Sequence, residues 1–152
     1  MPVAFEQVSF SYDGERDALE DIDLVVDDGE FLGVIGHTGS GKSTLVQLMN
    51  ALLVPTAGRV LVDGMDTRER KLRRKVRTTV GLAFQYPESQ LFANTVADDV
   101  AFGPRNLELS DDEVNRRVRA ALERVGMDYA KVAQRSPFDL SGGQQRRVAL
   151  AG

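Results

Sequence analysis

No cysteine occurs among the 152 residues, which removes disulfides and thiolate metal sites and fits a reducing compartment. No long hydrophobic run occurs either. The longest stretch free of charge, Ser43–Gly58, carries Gln47, Asn50, Pro55 and Thr56 and is too short and too polar to span a bilayer. The N-terminus, Met-Pro-Val-Ala-Phe-Glu, lacks the basic lead and apolar core of a signal peptide. Charge of one sign is not in excess: 19 basic residues face 23 acidic ones, a net of -4, so no global field draws the protein to nucleic acid or lipid. Internal repeats and low-complexity linkers are absent too. If the protein works at a membrane, it works from the side, on a partner.

What is present is an ordinary globular composition, 42% hydrophobic and 28% charged, long enough for one domain with a sizeable core. Val3, Phe5, Val8 and Phe10 roughly alternate with polar residues, and Asp13-Gly14 supplies a turn. Leu19, Ile22, Leu24 and Val26 then repeat the pattern, so two half-buried antiparallel strands are predicted. Phe31–Ile35 and Val80–Phe84 are short apolar runs that suit strands buried on both faces. Arg59–Asp63 reads as another short strand, and a helix is predicted from about Lys42 to Leu53. After Pro87 the pattern turns helical. Ser110-Asp111-Asp112-Glu113 has the form of a capping box, and Val114, Val118, Ala121, Leu122 and Val125 share one helical face that Gly126 closes. A last helix starts after Ser141. The fold class is therefore α/β with a helical insertion between about Pro87 and Phe138. Residues 1–86 are assigned to a β-rich part with the core, 87–138 to the helices, and 139–152 to the final segment.

Gly36-His37-Thr38-Gly39-Ser40-Gly41-Lys42-Ser43 fits the phosphate-binding pattern G-x-x-x-x-G-K-[ST]. A triphosphate is polyanionic, and backbone N–H groups at a helix N-terminus meet it along a favourable dipole. Glycines let the backbone wrap closely where a Cβ would clash. Lys42 supplies a mobile charge to the β- and γ-phosphates, and the Ser43 hydroxyl is placed for Mg²⁺, with Thr44 next in the helix. His37, the only histidine, holds a variable loop position and reads as a backbone donor rather than a base. A plain glycine turn between strand and helix is the competing reading.

A phosphate loop alone leaves kinases, GTPases and many ATPases open. Leu140-Ser141-Gly142-Gly143-Gln144, continuing Gln-Arg-Arg-Val-Ala-Leu-Ala, narrows the field, because it resembles the signature segment of the ATP-binding cassette (ABC) family. A serine hydroxyl and two glycine N–H groups at a helix start suit a second anion site. The resemblance covers essentially the whole chain. It implies a P-loop NTPase fold with a RecA-like core, an N-terminal antiparallel β-subdomain and an inserted helical subdomain. It further implies ATP and Mg²⁺ as ligands, and a second ATPase subunit, identical or not, whose ATP meets Ser141, Gly142, Gly143 and Gln144. Tyr12 matches the aromatic that stacks on adenine, although a strand-end core aromatic is the plainer reading. Gln85 matches the glutamine that reaches Mg²⁺ and the attacking water.

Phe84-Gln85-Tyr86-Pro87-Glu88-Ser89-Gln90-Leu91-Phe92, together with the loop sequence, resembles the ATPases of energy-coupling factor (ECF) importers, which serve vitamin, cobalt or nickel uptake. That resemblance implies a transmembrane partner held through the Gln85–Phe92 region, with Leu91 and Phe92 as exposed apolar contacts. It also implies a peripheral place on the cytoplasmic face of the membrane. The family's Asp-Glu strand and later histidine do not follow. The chain reads as truncated in the signature helix, its C-terminal part missing, and residues 1–152 alone are expected to bind ATP weakly without turnover. A soluble ABC ATPase acting on ribosomes or DNA is the alternative. Seven basic residues between Arg68 and Arg77 read as a solvated face, since no aromatics interleave, and no nucleic-acid partner is expected.

Overall fold

The alternating residues at the N-terminus become two paired strands, β1 (Val3–Ser11) and β2 (Asp17–Val26), antiparallel with Val3 opposite Val26 and Phe5 opposite Leu24. Their alternation is imperfect for a physical reason. Gln7 and Asp21 take positive φ of 49° and 48°, and the extra residue at each bulge shifts the inward phase from Phe5 to Val8 and from Leu19 to Ile22. On the other side of β1 lies β3 (Ala57–Val62), with Phe5 opposite Val60, and beyond it the two-residue β4 (Met65–Asp66). The order is β2-β1-β3-β4, antiparallel throughout. Strand β2 is an edge and carries Asp17, Glu20, Asp21 and Asp23; such charges discourage pairing with another chain.

The structure is a computed structural model describing residues 1–152, and it divides into two units, Met1–Leu82 and Ala83–Gly152. In the first, helix α1 (Lys42–Met49) and helix α2 (Arg73–Thr79) add Leu45, Leu48 and Val76 to a core of Val3, Phe5, Val8, Phe10, Val60 and Val62. Each fully buried side chain of this size contributes about 1.5–3 kcal/mol through lost apolar exposure.

Three expectations fail in detail. Helix α1 ends at Met49, short of Leu53, because Ala51 turns left-handed (φ 56°) and the amides of Leu52 and Leu53 both return to the Gln47 carbonyl. Neither Phe31–Ile35 nor Val80–Phe84 forms a strand. Phe31 and Ile35 are 99% and 98% exposed, and Phe84 is exposed as well. A strand exists only through its neighbours, and neither segment pairs with any of β1–β4.

The second unit is helical: a 3-10 turn at Pro87–Gln90, α3 (Val96–Asn106), α4 (Asp111–Arg124), α5 (Tyr129–Val132), a 3-10 turn at Pro137–Asp139 and α6 (Gly142–Ala151). Its core joins Leu91, Val96, Val100, Val114, Val118, Leu122, Leu140 and Val148. The predicted face of α4 is buried at Val114, Val118 and Leu122, and Gly126 follows the helix at φ 71°. Only half of the expected capping box forms there. The Ser110 hydroxyl accepts from the Glu113 amide at 3.4 Å, but Glu113 pairs with Arg116 and Arg117 instead of reaching back. A carboxylate with two guanidinium partners on its own helix face has little reason to leave them for one neutral N–H. Those two arginines also hold the Glu113 carboxyl below its usual range.

Candidate nucleotide-binding site

The loop Gly36–Gly41 carries the extended segment after β2 into the first turn of α1. Gly41 is the N-cap residue of that helix, at φ 84°, and a Cβ there would stand 2.6 Å from the Ala18 carbonyl oxygen and 2.7 Å from Leu19 Cδ2. Only glycine lets the loop lie against β2 in this way. The Ser40 amide donates to the His37 carbonyl at 3.2 Å and tightens the loop. Lys42 sits at its centre: Nζ donates to the carbonyls of Gly36 (2.8 Å) and His37 (2.7 Å) and lies 3.4 Å from Ser40 Oγ. The loop thus curls around its own ammonium group, holding one positive charge where N–H groups of a helix start also converge. His37 is exposed, with Nδ1 2.8 Å from the Thr38 carbonyl oxygen.

Beside this loop opens a cleft of about 210 Å³ lined by Tyr12, Ala18, Gly39, Gly41, Lys42, Ser43 and Thr44. Ser43 is exposed, whereas Thr44 is 5% exposed. Tyr12 follows β1 directly, and its hydroxyl shares a 3.0 Å hydrogen bond with Thr44 Oγ1. The next turn is fixed by Asp13, whose carboxylate accepts from the amides of Glu15 (2.9 Å) and Arg16 (3.2 Å) and from the Ser11 hydroxyl (3.1 Å). The Glu15 and Arg16 amides, then Ser11, hold its carboxyl below the usual carboxylate value. The plainer reading of Tyr12 as a core aromatic does not hold: the residue is 65% exposed and lines the cleft. Residues 12 and 36–44 therefore come together in the first unit, with donors suited to a phosphate chain and an aromatic suited to a planar base. The donor set fits Mg²⁺ only in part, through the Ser43 hydroxyl, a hard oxygen.

In the second unit, Ser141 caps α6. Its hydroxyl accepts from the Gln144 amide (3.4 Å), and Gln144 Oε1 accepts from the Ser141 amide (3.0 Å), a complete capping box that sequence reasoning did not name. Serine three residues before glutamine was the available signal. Gly142 and Gly143 are exposed in the first turn, while Leu140 and Val148 anchor the segment in the core. Gln85 lies in an exposed bend of the same unit. Glu88, which follows it, has one carboxylate oxygen buried without a hydrogen-bond partner.

One expected contact residue is misplaced. Leu91 is 7% exposed and belongs to the helical core; only Phe92, at 61%, faces outward. The chain is extended after the 3-10 turn, so consecutive side chains point to opposite sides, and the Asp99 carboxylate fixes that arrangement by accepting from the amides of Phe92 (2.9 Å) and Ala93 (2.8 Å). Phe92 meets Phe102 edge to face at 5.0 Å. The basic stretch is occupied at home. Arg68 pairs with Asp66 and reaches the Gly58 carbonyl, Arg73 donates to the carbonyls of Thr67 and Arg68, and Arg77 donates to that of Ala51.

A glycine loop cradling a lysine at a helix start, and a serine-capped Gly-Gly segment in a helical unit, are the two marks of an ATPase cassette, and the chain belongs to the ABC transporter family, which residues 19–152 match. It is 62% identical to the energy-coupling factor transporter ATP-binding protein EcfA2 of Symbiobacterium thermophilum, over 100% of this chain and 54% of that protein. It is 52% identical to the protein of the same name in Clostridium tetani, over 91% of this chain and 48% of that one. The chain thus spans about half the length of the curated relatives it matches. Among solved structures it resembles CbiO1 from Clostridium perfringens, described as part of the ABC transporter complex CbiONQ (38% identity, TM-score 0.84, 98% of this chain and 59% of that one). It also resembles the ATP-binding cassette MJ0796, solved as a post-hydrolysis dimer bound to ADP and Pi (31% identity, TM-score 0.82, 98% and 67%). The fold is that of a P-loop NTPase cassette.

Proposed function

We propose that the full-length protein is the ATP-binding, ATP-hydrolysing subunit of an energy-coupling factor importer. The observation that carries this reading is the loop itself: Lys42 Nζ held by the carbonyls of Gly36 and His37 at the start of α1, in one cleft with Tyr12. Loop amides and Lys42 bind the phosphate chain, Tyr12 receives the base, and Ser43 offers its hydroxyl to Mg²⁺, which when bound neutralises phosphate charge. Gln85 takes the part that the resemblance gives it, toward Mg²⁺ and water. The relatives' names support ECF-type import over a soluble cassette acting on ribosomes or DNA. No helix is long and apolar enough to cross a membrane; the transmembrane partner is the one that the resemblance to ECF importers implies. Exposed Tyr86 and Phe92 in the Gln85–Phe92 region are the proposed contact with that partner, at the cytoplasmic face of the membrane.

Charge removal tests the loop. Lys42→Ala in the full-length protein should weaken ATP binding by about 2–4 kcal/mol, roughly 30- to 700-fold, and abolish hydrolysis, because a charge-assisted contact to phosphate is lost in a partly desolvated cleft. Undiminished affinity in calorimetry would refute the assignment.

A further inference from the structure

Tyr12 is held at two points. Phe10, 7% exposed and part of the sheet core, meets its ring edge to face at 4.8 Å and 90°. At the far end, the hydroxyl bonds to Thr44, the buried third residue of α1. The intervening backbone is fixed by the Asp13 turn. Despite this bracing the residue remains 65% exposed and lines the cleft.

We propose that Thr44 is a positioning residue for base recognition: its hydroxyl tethers Tyr12 so that the ring stands as a fixed platform beside the phosphate loop. The inference rests on the nucleotide reading above and adds a residue to it. An untethered tyrosine has two rotatable side-chain bonds to immobilise when a base stacks on it, and this cost lowers affinity. With Phe10 behind and Thr44 at the tip, the ordering is already present before a ligand arrives. Thr44 thereby links the helix that presents the phosphate-binding amides to the ring that receives the base, and sets the distance between the two subsites. Valine has the shape of threonine without the hydroxyl, so Thr44→Val removes the tether and leaves the packing.

The test compares ATP with inorganic tripolyphosphate, which has the phosphates but no base, by calorimetry on the full-length protein. Tyr12→Phe should weaken ATP binding about 3- to 10-fold and leave tripolyphosphate binding unchanged, whereas Thr44→Val, at a residue of the phosphate cleft, should weaken ATP binding about 3- to 10-fold more than it weakens tripolyphosphate binding. The double variant should be no worse than Thr44→Val alone, and Thr44→Ser should keep wild-type affinity. Tyr12→Phe changes an exposed residue, so it keeps the test alive if Thr44→Val does not fold. Equal losses for both ligands, no loss for ATP, or additive effects in the double variant would overturn the tether. A wild-type protein that binds tripolyphosphate but gains nothing from the base would overturn it too. Failure to bind either ligand would instead bring down the nucleotide reading itself.

Discussion

Asp66 shows how much of a basic run can be local structure. Its carboxylate receives Arg68 through Nε and Nη2, at 3.1 Å and 2.8 Å on the same oxygen, and the same guanidinium reaches the Gly58 carbonyl. The Arg68 hydrogen bond is the main cause that lowers the Asp66 pKa below 3.8. With the folded-state value depressed, the carboxylate contributes stability above the ordinary value, and that contribution disappears as pH falls through the lowered one. Asp66 is 18% exposed but Arg68 is 49% exposed, so solvent screens the pair and its contribution at neutral pH is small. Urea midpoints of the wild type and Asp66→Asn should therefore differ at pH 7 and converge as pH drops below about 3.8. A gap that persists undiminished in acid would assign the loss to packing instead.

Among the elements, the join between β1 and β3 is the most exacting. Gly58 has φ 70°, and a Cβ on it would stand 2.2 Å from the Gln7 carbonyl oxygen and 2.4 Å from that of Glu6. The neighbour is backbone at a bulge and cannot move aside without breaking the ladder between Glu6 and Arg59. Gly58→Ala should cost about 2–4 kcal/mol from left-handed strain and overpacking together, seen as a lower urea midpoint. A loss under 0.5 kcal/mol would mean that the bulge relaxes. No pattern in the sequence marks Gly58 as such a point; Ala57-Gly58 after Pro55-Thr56 reads only as a loop. What was legible is local or periodic: the alternation in β1 and β2, the apolar face of α4, the phosphate loop, and Ser141-Gly142-Gly143-Gln144. What was not legible depends on neighbours. Phe31–Ile35 has the composition of a buried strand and no partner here, Leu91 faces inward because Asp99 sets the phase of its segment, and Glu113 prefers Arg116 and Arg117 to its helix cap.

At the scale of the molecule, the two segments proposed to bind anions belong to different units, each with a core of its own. The phosphate loop rests on the sheet of the first, and the signature segment is built into the helices of the second, where Leu140 and Val148 are buried and Gly142 and Gly143 are exposed. At this serine-capped helix start the Ser141 and Gln144 amides are used by the capping box, and the exposed Gly142 and Gly143 are the proposed donors to an anion. If, as the family resemblance implies, that anion is the ATP held by a second subunit, loop and signature must respond differently to mutation. Ser141→Arg places a long cation at an exposed N-cap and removes the hydroxyl that Gln144 uses. Helix α6 should lose about 1 kcal/mol from the broken cap and stay folded on its buried residues. In the full-length protein, ATP affinity of the isolated subunit should remain within about 2-fold of wild type, because the loop is untouched. ATP-driven dimerisation, read by light scattering, and steady-state phosphate release should both fall at least about 100-fold, the scale on which misplacing a positioned group costs rate. Normal hydrolysis by this variant would show that one chain completes its site alone, and weakened binding by the monomer would put Ser141 beside the chain's own phosphate loop rather than its partner's.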